Sequence, residues 1–292
     1  MENTRDKLKL ISAMLIFGTI GIFRNHIPLS SSLVACIRGA VGALFLLIVI
    51  LCKRQKLNLS GIKKNFPLLC LSGIFIGINW ILLFEAYRYT AVSTATLCYY
   101  MAPVFVIIVS PFLLKEKVTA KKWICAGVSV IGMTIISGVF SDASSDIRGI
   151  LLALGAALLY AAVIIINKFI SGISNYEKTL IQLAAAALAI LPYVILNEDI
   201  SSVSAGISEI ILLAAVGVVH TGIAYTLYFG SIEKLEAHTA AIFSYIDPVT
   251  ALVLSTVLLR EPFTAAKLVG SILILGASLV SELPSRKHSK EK

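Results

Sequence analysis

The sequence predicts an all-α integral membrane protein with ten transmembrane helices arranged as two inverted five-helix repeats around a central cavity. Three observations support this: an apolar composition, ten apolar runs and an internal repeat. Of the 292 residues, 58% are hydrophobic and 14% are charged, and the mean hydropathy is +0.92. A soluble protein carries about 25% charged residues, so this chain has too few charges to coat a water-exposed surface. The composition therefore argues against disorder and against a conventional soluble enzyme.

Polar breaks divide the chain into ten apolar runs. A crossing needs about 20 residues, so ten crossings use roughly 200 residues and leave no room for a folded domain outside the membrane. The third and fourth runs are nearly continuous, but together they are too long for one crossing, which predicts a tight hairpin at 89–90. The predicted helices are 8–23, 31–52, 66–88, 91–113, 121–140, 147–170, 178–196, 207–230, 236–259 and 265–283.

The basic residues predict the orientation of these helices. If the N-terminus is cytoplasmic, 19 Lys and Arg residues fall on the cytoplasmic side and 5 on the other, while Arg38 lies inside a helix. Basic loops stay in the cytoplasm. We therefore expect a multi-pass protein of the cytoplasmic membrane with both termini inside, the last being a basic tail at 284–292. The net charge of +9 then reflects topology, and no nucleic-acid partner is expected.

An internal repeat relates the two halves of the chain. Residues 91–118 and 236–263 align without gaps at a constant offset of 145. Apolar similarity is common to all membrane helices, so the match depends on a few distinctive positions. These are Thr94/Thr239, Tyr100/Tyr245, Pro103/Pro248 and Glu116/Glu261. The sequence thus predicts one repeat over 8–140 and a second over 147–283.

Five crossings per repeat make the second repeat enter the membrane from the opposite side. Inverted repeats have a pseudo-two-fold axis in the membrane plane and a binding site near the midplane where they meet. This architecture can open alternately to either side of the membrane. The pattern therefore favours a transporter.

Several short motifs occur at specific helix positions. They are Phe17-Gly18 in the first helix, Arg38 early in the second, the segment Ala86–Tyr89, the Tyr-x-x-Pro segments Tyr100–Pro103 and Tyr245–Pro248, and the helix-end residues Glu116 and Glu261. In these motifs the chain resembles the drug/metabolite transporter (DMT) superfamily, specifically the ten-helix EamA-type exporters with two EamA repeats. The resemblance covers about residues 8–283. The chain departs from the pattern at Phe17, where Trp is common, and at Gln182, which we align with Arg38.

The resemblance implies a secondary exporter of small polar metabolites or amino acids that works by alternating access. It also implies a central cavity formed by helices one, three, four, six, eight and nine. It leaves the substrate open. An intramembrane lipid-modifying enzyme and a non-transporting membrane subunit remain alternatives. The inverted repeats count against the first, and polar midplane residues count against the second.

Asp247 and His220 are the most informative polar residues. Both fall near the middle of their helices, where an ionisable group costs at least about 2.5 kcal/mol and normally faces protein or water. They could contact a substrate ammonium or form a proton-linked pair, because His titrates near neutral pH. Alternatively, they form a hydrogen-bonded pair that joins two helices.

Arg38 and Glu85 lie at similar predicted depth, which suggests an ion pair that is either structural or an outer gate. Pro103 and Pro248 interrupt helix hydrogen bonding at equivalent positions of the two repeats, either as packing kinks or as flexible breaks beside the cavity. Glu261 and its repeat counterpart could cap the helix that follows or pair across its loop. The predicted cavity residues are Phe17, Asn79, Tyr99, Pro103, Tyr160, His220, Tyr245, Asp247 and Pro248.

No cofactor is expected from the sequence. The five cysteines show no metal-ligand spacing, there is no Walker-type phosphate loop, and no nucleophile-base set is present. The expected partners are a small-molecule substrate and the lipid bilayer, with protons as a candidate coupling ion. The chain could act as a monomer or as a homodimer.

Overall fold

The computed structural model describes residues 4–115, 118–136, 146–198, 206–232, 234–235 and 242–283. Within these ranges the chain is helical and contains no strand. The helices are α1 Thr4–Asn25, α2 Ser31–Cys52, α3 Leu59–Tyr89, α4 Val92–Tyr99, α5 Ala102–Leu113, α6 Ala120–Ile136, α7 Ile147–Phe169, α8 Asn175–Asn197, α9 Ile207–Ala214, a π-helical segment Ala215–Ile223, α10 Ala224–Ile232, α11 Ile246–Leu258 and α12 Ala265–Glu282.

These helices correspond to the predicted crossings. Seven segments of the described chain are long and apolar enough to span a membrane. One of the seven is α4 with α5, and another runs from α9 through the π-helical segment into α10. The other crossings are α1, α6 and the shorter apolar helix Ile242–Leu258, which contains α11. The predicted all-α membrane fold is confirmed.

The third helix begins earlier than predicted. It starts at Leu59, where the Asn58 side chain accepts a hydrogen bond from the Gly61 N–H at 3.0 Å and caps the helix. Ile62 is buried, whereas Lys63 and Lys64 remain exposed. The sequence predicts a polar break over these residues, because the first turns of this helix are amphipathic and contain several polar residues. The predicted hairpin after α3 is present, with two residues before α4.

The helices pair as expected for a two-fold axis. α2 packs against α8 and α6 packs against α12, so these contacts join equivalent helices of the two halves. The contact of α3 with α7 has its counterpart in α1 with α10. Likewise, the contact between α1 and α11 is equivalent to the contacts that α7 makes with α4 and α5. Because each half has five crossings, this axis lies in the membrane plane.

The contact between α6 and α12 depends on two facing glycines. A Cβ added at Gly270 would lie 2.7 Å from the carbonyl oxygen of Gly132, and one added at Gly132 would lie 2.9 Å from that of Gly270. Small residues allow helix backbones to approach this closely in membranes. The two glycines therefore set the distance between these helices.

Glu261 does not cap the helix that follows it; it caps α4 of the other repeat and also pairs across its loop with Lys267 at 3.8 Å, the second alternative from the sequence. Its carboxylate accepts the backbone N–H of Val92 at 2.6 Å and that of Ser93 at 3.2 Å. Free N–H groups and the positive end of the helix dipole favour a carboxylate there. Thr264 caps the following helix α12. Glu116, Thr239 and the tail at 284–292 lie outside the described residues.

We expect Gly132→Ala to destabilise the protein by about 1–3 kcal/mol, because the new methyl group overpacks the α6–α12 contact. Gly127→Ala on the same helix is the control, since a Cβ there meets no atom within 4 Å. That control should be neutral or slightly stabilising because Ala favours helix. Thermal unfolding in detergent measures both variants, and equal melting temperatures would contradict the proposed contact.

We expect Glu261→Ala to cost about 1–3 kcal/mol, because it leaves two N–H groups of α4 without their acceptor. Glu261→Gln keeps one acceptor oxygen and should lose less. The same melting experiment ranks the wild type above Glu261→Gln and Glu261→Ala lowest. If all three melted together, the cap would contribute nothing to stability.

Candidate binding cavity

A cavity of about 370 Å³ lies between the two repeats. Side chains from α1, α3, α4, α5, α7, α10 and α11 line it, in agreement with the six crossings that the resemblance implied. Two further residues contribute from outside that set, Arg38 on α2 and Glu282 on α12. The cavity therefore collects polar groups from both halves of the chain.

Both broken helices meet this cavity. The fourth crossing ends as α4 at Tyr99 and resumes as α5, with Pro103 as the second residue of the new helix. The ninth has a turn at Tyr245, and Pro248 is the third residue of α11. Proline is tolerated in a first helical turn because its missing N–H has no partner there. The prolines thus begin new helices, and Pro103 and Tyr245 line the cavity.

Asp247 faces the cavity and joins the two repeats. The Tyr100 hydroxyl donates a hydrogen bond to Asp247 Oδ2 at 2.8 Å. The other carboxylate oxygen has no hydrogen-bond partner in the part of the chain that the structure describes. Asp247 is half-buried and lines the cavity, so a cationic group entering it would meet one free carboxylate oxygen.

Arg38 reaches the same cavity from α2. It is 6% exposed, and its Nε donates to the Thr221 hydroxyl at 2.9 Å. The guanidinium carbon lies 4.1 Å from the centre of the Trp80 ring and 5.8 Å from that of Phe84. Cation–π attraction of this kind stabilises a desolvated guanidinium. The cavity wall therefore contains one basic residue, Arg38, and two acidic ones, Asp247 and Glu282.

The predicted ion pair between Arg38 and Glu85 is wrong. Glu85 instead pairs with Arg88 at 3.0 Å and accepts from the Ser31 hydroxyl at 2.8 Å. Trp80, the stacking partner of Arg38, precedes Glu85 by five residues on α3, which turns the two side chains about 140° apart around the helix. Arg38 and Glu85 lie at similar depth in the membrane, but Glu85 is on a different face of α3 from the one that Arg38 contacts.

His220 does not belong to the cavity, and its predicted pairing with Asp247 is also wrong. The ring is 1% exposed and points towards α1. Its Nε2 lies 2.8 Å from the Thr19 hydroxyl, its Nδ1 lies 3.2 Å from the Ala215 carbonyl oxygen, and it packs edge-on against Phe23. His220 therefore joins α1 to the π-helical segment.

The π-helical segment determines where the His220 and Thr221 side chains point. His220 and Thr221 both contact carbonyl oxygens five residues earlier, and the Thr221 hydroxyl donates to the Val216 oxygen at 3.1 Å. π-helical turns often occur at functional sites. In this protein the segment presents Thr221 to Arg38 on one side and His220 to α1 on the other.

Aromatic side chains form most of the remaining wall. Tyr99 and Tyr160 have ring centres 5.4 Å apart, and Tyr99 donates a hydrogen bond to Asn79 at 3.5 Å. Phe17 packs edge-on against Tyr225 at 5.3 Å. The predicted residues Phe17, Asn79, Tyr99, Tyr160 and Tyr245 all line the cavity, whereas Pro248 is buried next to Asp247 and does not line it.

Three residues of the site were missed or misjudged from the sequence. Tyr100 carried a signal, because it matches Tyr245 in the repeat, but its contact with Asp247 was not foreseen. Trp80 is absent from the predicted cavity residues, although it lines the cavity. Thr221 carried no signal at all, since a single Thr in an apolar helix is usually structural.

The glycine contacts correct the alignment of the second and seventh crossings. Gly222 meets Phe45, and Gly77 meets Ile190, which preserves the offset of 145 on both sides of the axis. At that offset Arg38 corresponds to Leu183 and not to Gln182. Leu183 is fully buried.

Comparisons with known proteins agree with this architecture. The model of the EamA-like transporter family matches residues 7–138 and 147–282. The chain is 30% identical to the uncharacterized transporter YxxF of Bacillus subtilis (strain 168), over 86% of this chain and 80% of that protein. It is 28% identical to an uncharacterized transporter of Archaeoglobus fulgidus, over 85% of this chain and 87% of that protein.

A solved crystal structure has the same fold. It superposes with a TM-score of 0.67 at 20% identity and covers 95% of this chain and 96% of its own. The family model matches both halves of the chain separately, as two repeats around a shared cavity require. The chain belongs to the EamA-like transporter family.

Proposed function

We propose that this protein is a secondary transporter that exports small polar metabolites, amino acids among them, across the cytoplasmic membrane by alternating access. The observation that carries the proposal is the cavity between two inverted repeats, with Arg38 and Asp247 both in its wall. Charged groups at this depth are costly unless they serve a polar occupant or pair with each other. No ion pair joins these two among the described residues.

The contacts between the repeats suit a rocking motion. The hydrogen bond from Tyr100 to Asp247 and the cap that Glu261 makes on α4 cross from one repeat to the other. The first is one hydrogen bond and the second is a small set around one carboxylate, so both can break and re-form without disturbing the apolar packing within each repeat. In transporters with inverted repeats, access changes sides when one repeat moves against the other around a fixed site.

The export direction and the orientation rest on the sequence. The resemblance to EamA-type exporters supports movement out of the cell. The excess of basic residues on one side supports cytoplasmic termini. Flux of labelled metabolites in proteoliposomes of defined protein orientation tests both transport and direction. Saturable flux that needs the protein supports the proposal, and protein-independent leakage across a broad metabolite panel contradicts it.

We expect Asp247→Asn to lower the transport rate by about ten-fold or more, because the loss of a charge-assisted contact corresponds to roughly 1.5–3 kcal/mol. The amide still accepts the Tyr100 hydrogen bond, so folding should be preserved. Tyr100→Phe, which keeps the charge and removes the bond, should reduce transport less. Glu209→Gln on the surface of α9 is the control. A wild-type rate in Asp247→Asn at equal protein level would refute this role.

The orientation predicts which positions react with a membrane-impermeant maleimide. In a variant without the five native cysteines, Ser208→Cys should react in intact cells because it lies at the outer start of α9. Gln55→Cys, between α2 and α3, should react only after the membrane is permeabilised. Labelling of Gln55→Cys in intact cells would place the loops the other way round.

A further inference from the structure

Arg38 has unused hydrogen-bonding capacity inside the cavity. The side chain is 94% buried, yet its one hydrogen bond with the described residues is from Nε to Thr221. Its two terminal nitrogens have no acceptor in the described ranges, and no carboxylate there lies within ion-pair distance. A buried guanidinium without a counter-charge or acceptors for its terminal nitrogens is disfavoured, so the arrangement points to a missing anionic partner.

The second buried arginine shows the contrast. Arg24 is 5% exposed, and its terminal nitrogens donate to the carbonyl oxygens of Ile27 and Leu29 and to the Ser31 hydroxyl. These contacts lie within 3.1 Å. Arg24 therefore serves the loop between α1 and α2. Arg38 has no such loop, and the cavity is what its terminal nitrogens can reach.

Two neighbours hold the guanidinium of Arg38 in place. Thr221 donates its own proton to the Val216 oxygen, so its oxygen is oriented to accept from Arg38 Nε. Trp80 supports one face of the guanidinium plane at 4.1 Å. With Nε and one face occupied, the terminal nitrogens remain free as a planar fork. Such a fork binds a carboxylate through two parallel hydrogen bonds.

The fold itself does not need an arginine at this register. The equivalent position in the second repeat is Leu183, which is fully buried, and the position equivalent to Thr221 is Ile76. The duplicated scaffold thus accepts apolar residues at both positions. The charge and the hydroxyl that orients it are specific to one half, as expected for groups that serve a ligand.

We propose that Arg38 is the carboxylate-binding residue of the central cavity, with Thr221 as its positioning residue. The transported molecule then carries a carboxylate for Arg38 and a cationic nitrogen for Asp247, which makes it a small zwitterion. The aromatic wall adds cation–π and apolar contacts for the rest of the molecule. This inference rests on the proposed transport function, and it names the substrate class of that same cavity.

Trp80 provides a direct measure of binding, because it stacks on Arg38. The chain has two tryptophans, and Trp123→Phe on the exposed face of α6 leaves Trp80 as the single tryptophan, whose emission is excited apart from that of the tyrosines. We would titrate this purified variant with the protein amino acids. For each apolar amino acid, we would add the amine without the carboxylate and the acid without the amino group. For leucine these are 3-methylbutylamine and 4-methylpentanoate.

We expect at least one amino acid to change the Trp80 fluorescence saturably, with its amine binding at least about ten-fold more weakly. Arg38→Gln should raise the Kd of that amino acid at least about ten-fold and leave the Kd of the amine within about two-fold. Arg38→Lys, which keeps the charge but not the fork, should fall between. The proposal fails if no carboxylate compound binds, if amine and amino acid bind equally, or if Arg38→Gln changes neither Kd.

Thr221 gives an independent test in case the Arg38 variants do not fold. Thr221→Val removes the acceptor of Arg38 Nε at nearly constant volume, and Thr221→Ser restores it. We expect Thr221→Val to weaken binding of the amino acid several-fold relative to its amine, and Thr221→Ser to recover the wild-type ratio. A structural role alone would change both ligands equally.

The outcomes separate this inference from the transport function. If Arg38-dependent carboxylate binding occurs without flux in proteoliposomes, the inference stands and the transport proposal fails. If the protein moves a compound without a carboxylate, and Arg38→Gln has no effect on it, transport stands and the inference fails.

Discussion

Every backbone N–H and C=O inside a bilayer needs a partner within the protein, and the architecture follows from this constraint. Within the described ranges the chain meets it with helices alone. Irregular backbone is tolerated at this depth only where it is buried in protein or lines a cavity. The interruptions after Tyr99 and at Tyr245 lie at the central cavity, and the π-helical segment contacts α1 and α2. The departures from regular helix are therefore concentrated around the candidate site.

These interruptions supply polar contacts that unbroken helices could not. The break after α4 places Tyr100 where its hydroxyl reaches Asp247. The wide turn of the π-helical segment directs Thr221 towards Arg38 and His220 towards α1. In each case the irregular backbone points a side chain in a direction that it would not have in a regular α-helix. The same features add a few polar bonds to the helix packing that joins the two repeats.

The sequence predicted well how deep each polar residue lies in the membrane, but poorly which face of its helix the residue occupies. Hydropathy predicted the ten crossings and the offset of 145 predicted their pairing, because these depend on lipid and on duplication. Asp247 was correctly expected to face the interior. His220 and Glu85 were assigned wrong partners, since residues at equal depth can lie on different faces of their helices. The π-helical segment, which sets the face for His220, has no recognisable sequence signal.

The two repeats share their mechanical features and differ in their charges. The Tyr-x-x-Pro breaks and the glycine contacts of Gly77 and Gly222 occur in both halves, and each keeps the offset of 145. Arg38 and Asp247 occur once each, opposite Leu183 and Ala102. Under the proposed alternating-access mechanism, a symmetric framework would give the inward-facing and outward-facing states similar packing, so that little free energy separates them. An asymmetric pair of charges gives the occupant one preferred orientation. In this proposal motion and recognition use different residues, so the charges can change with the substrate while the framework stays the same.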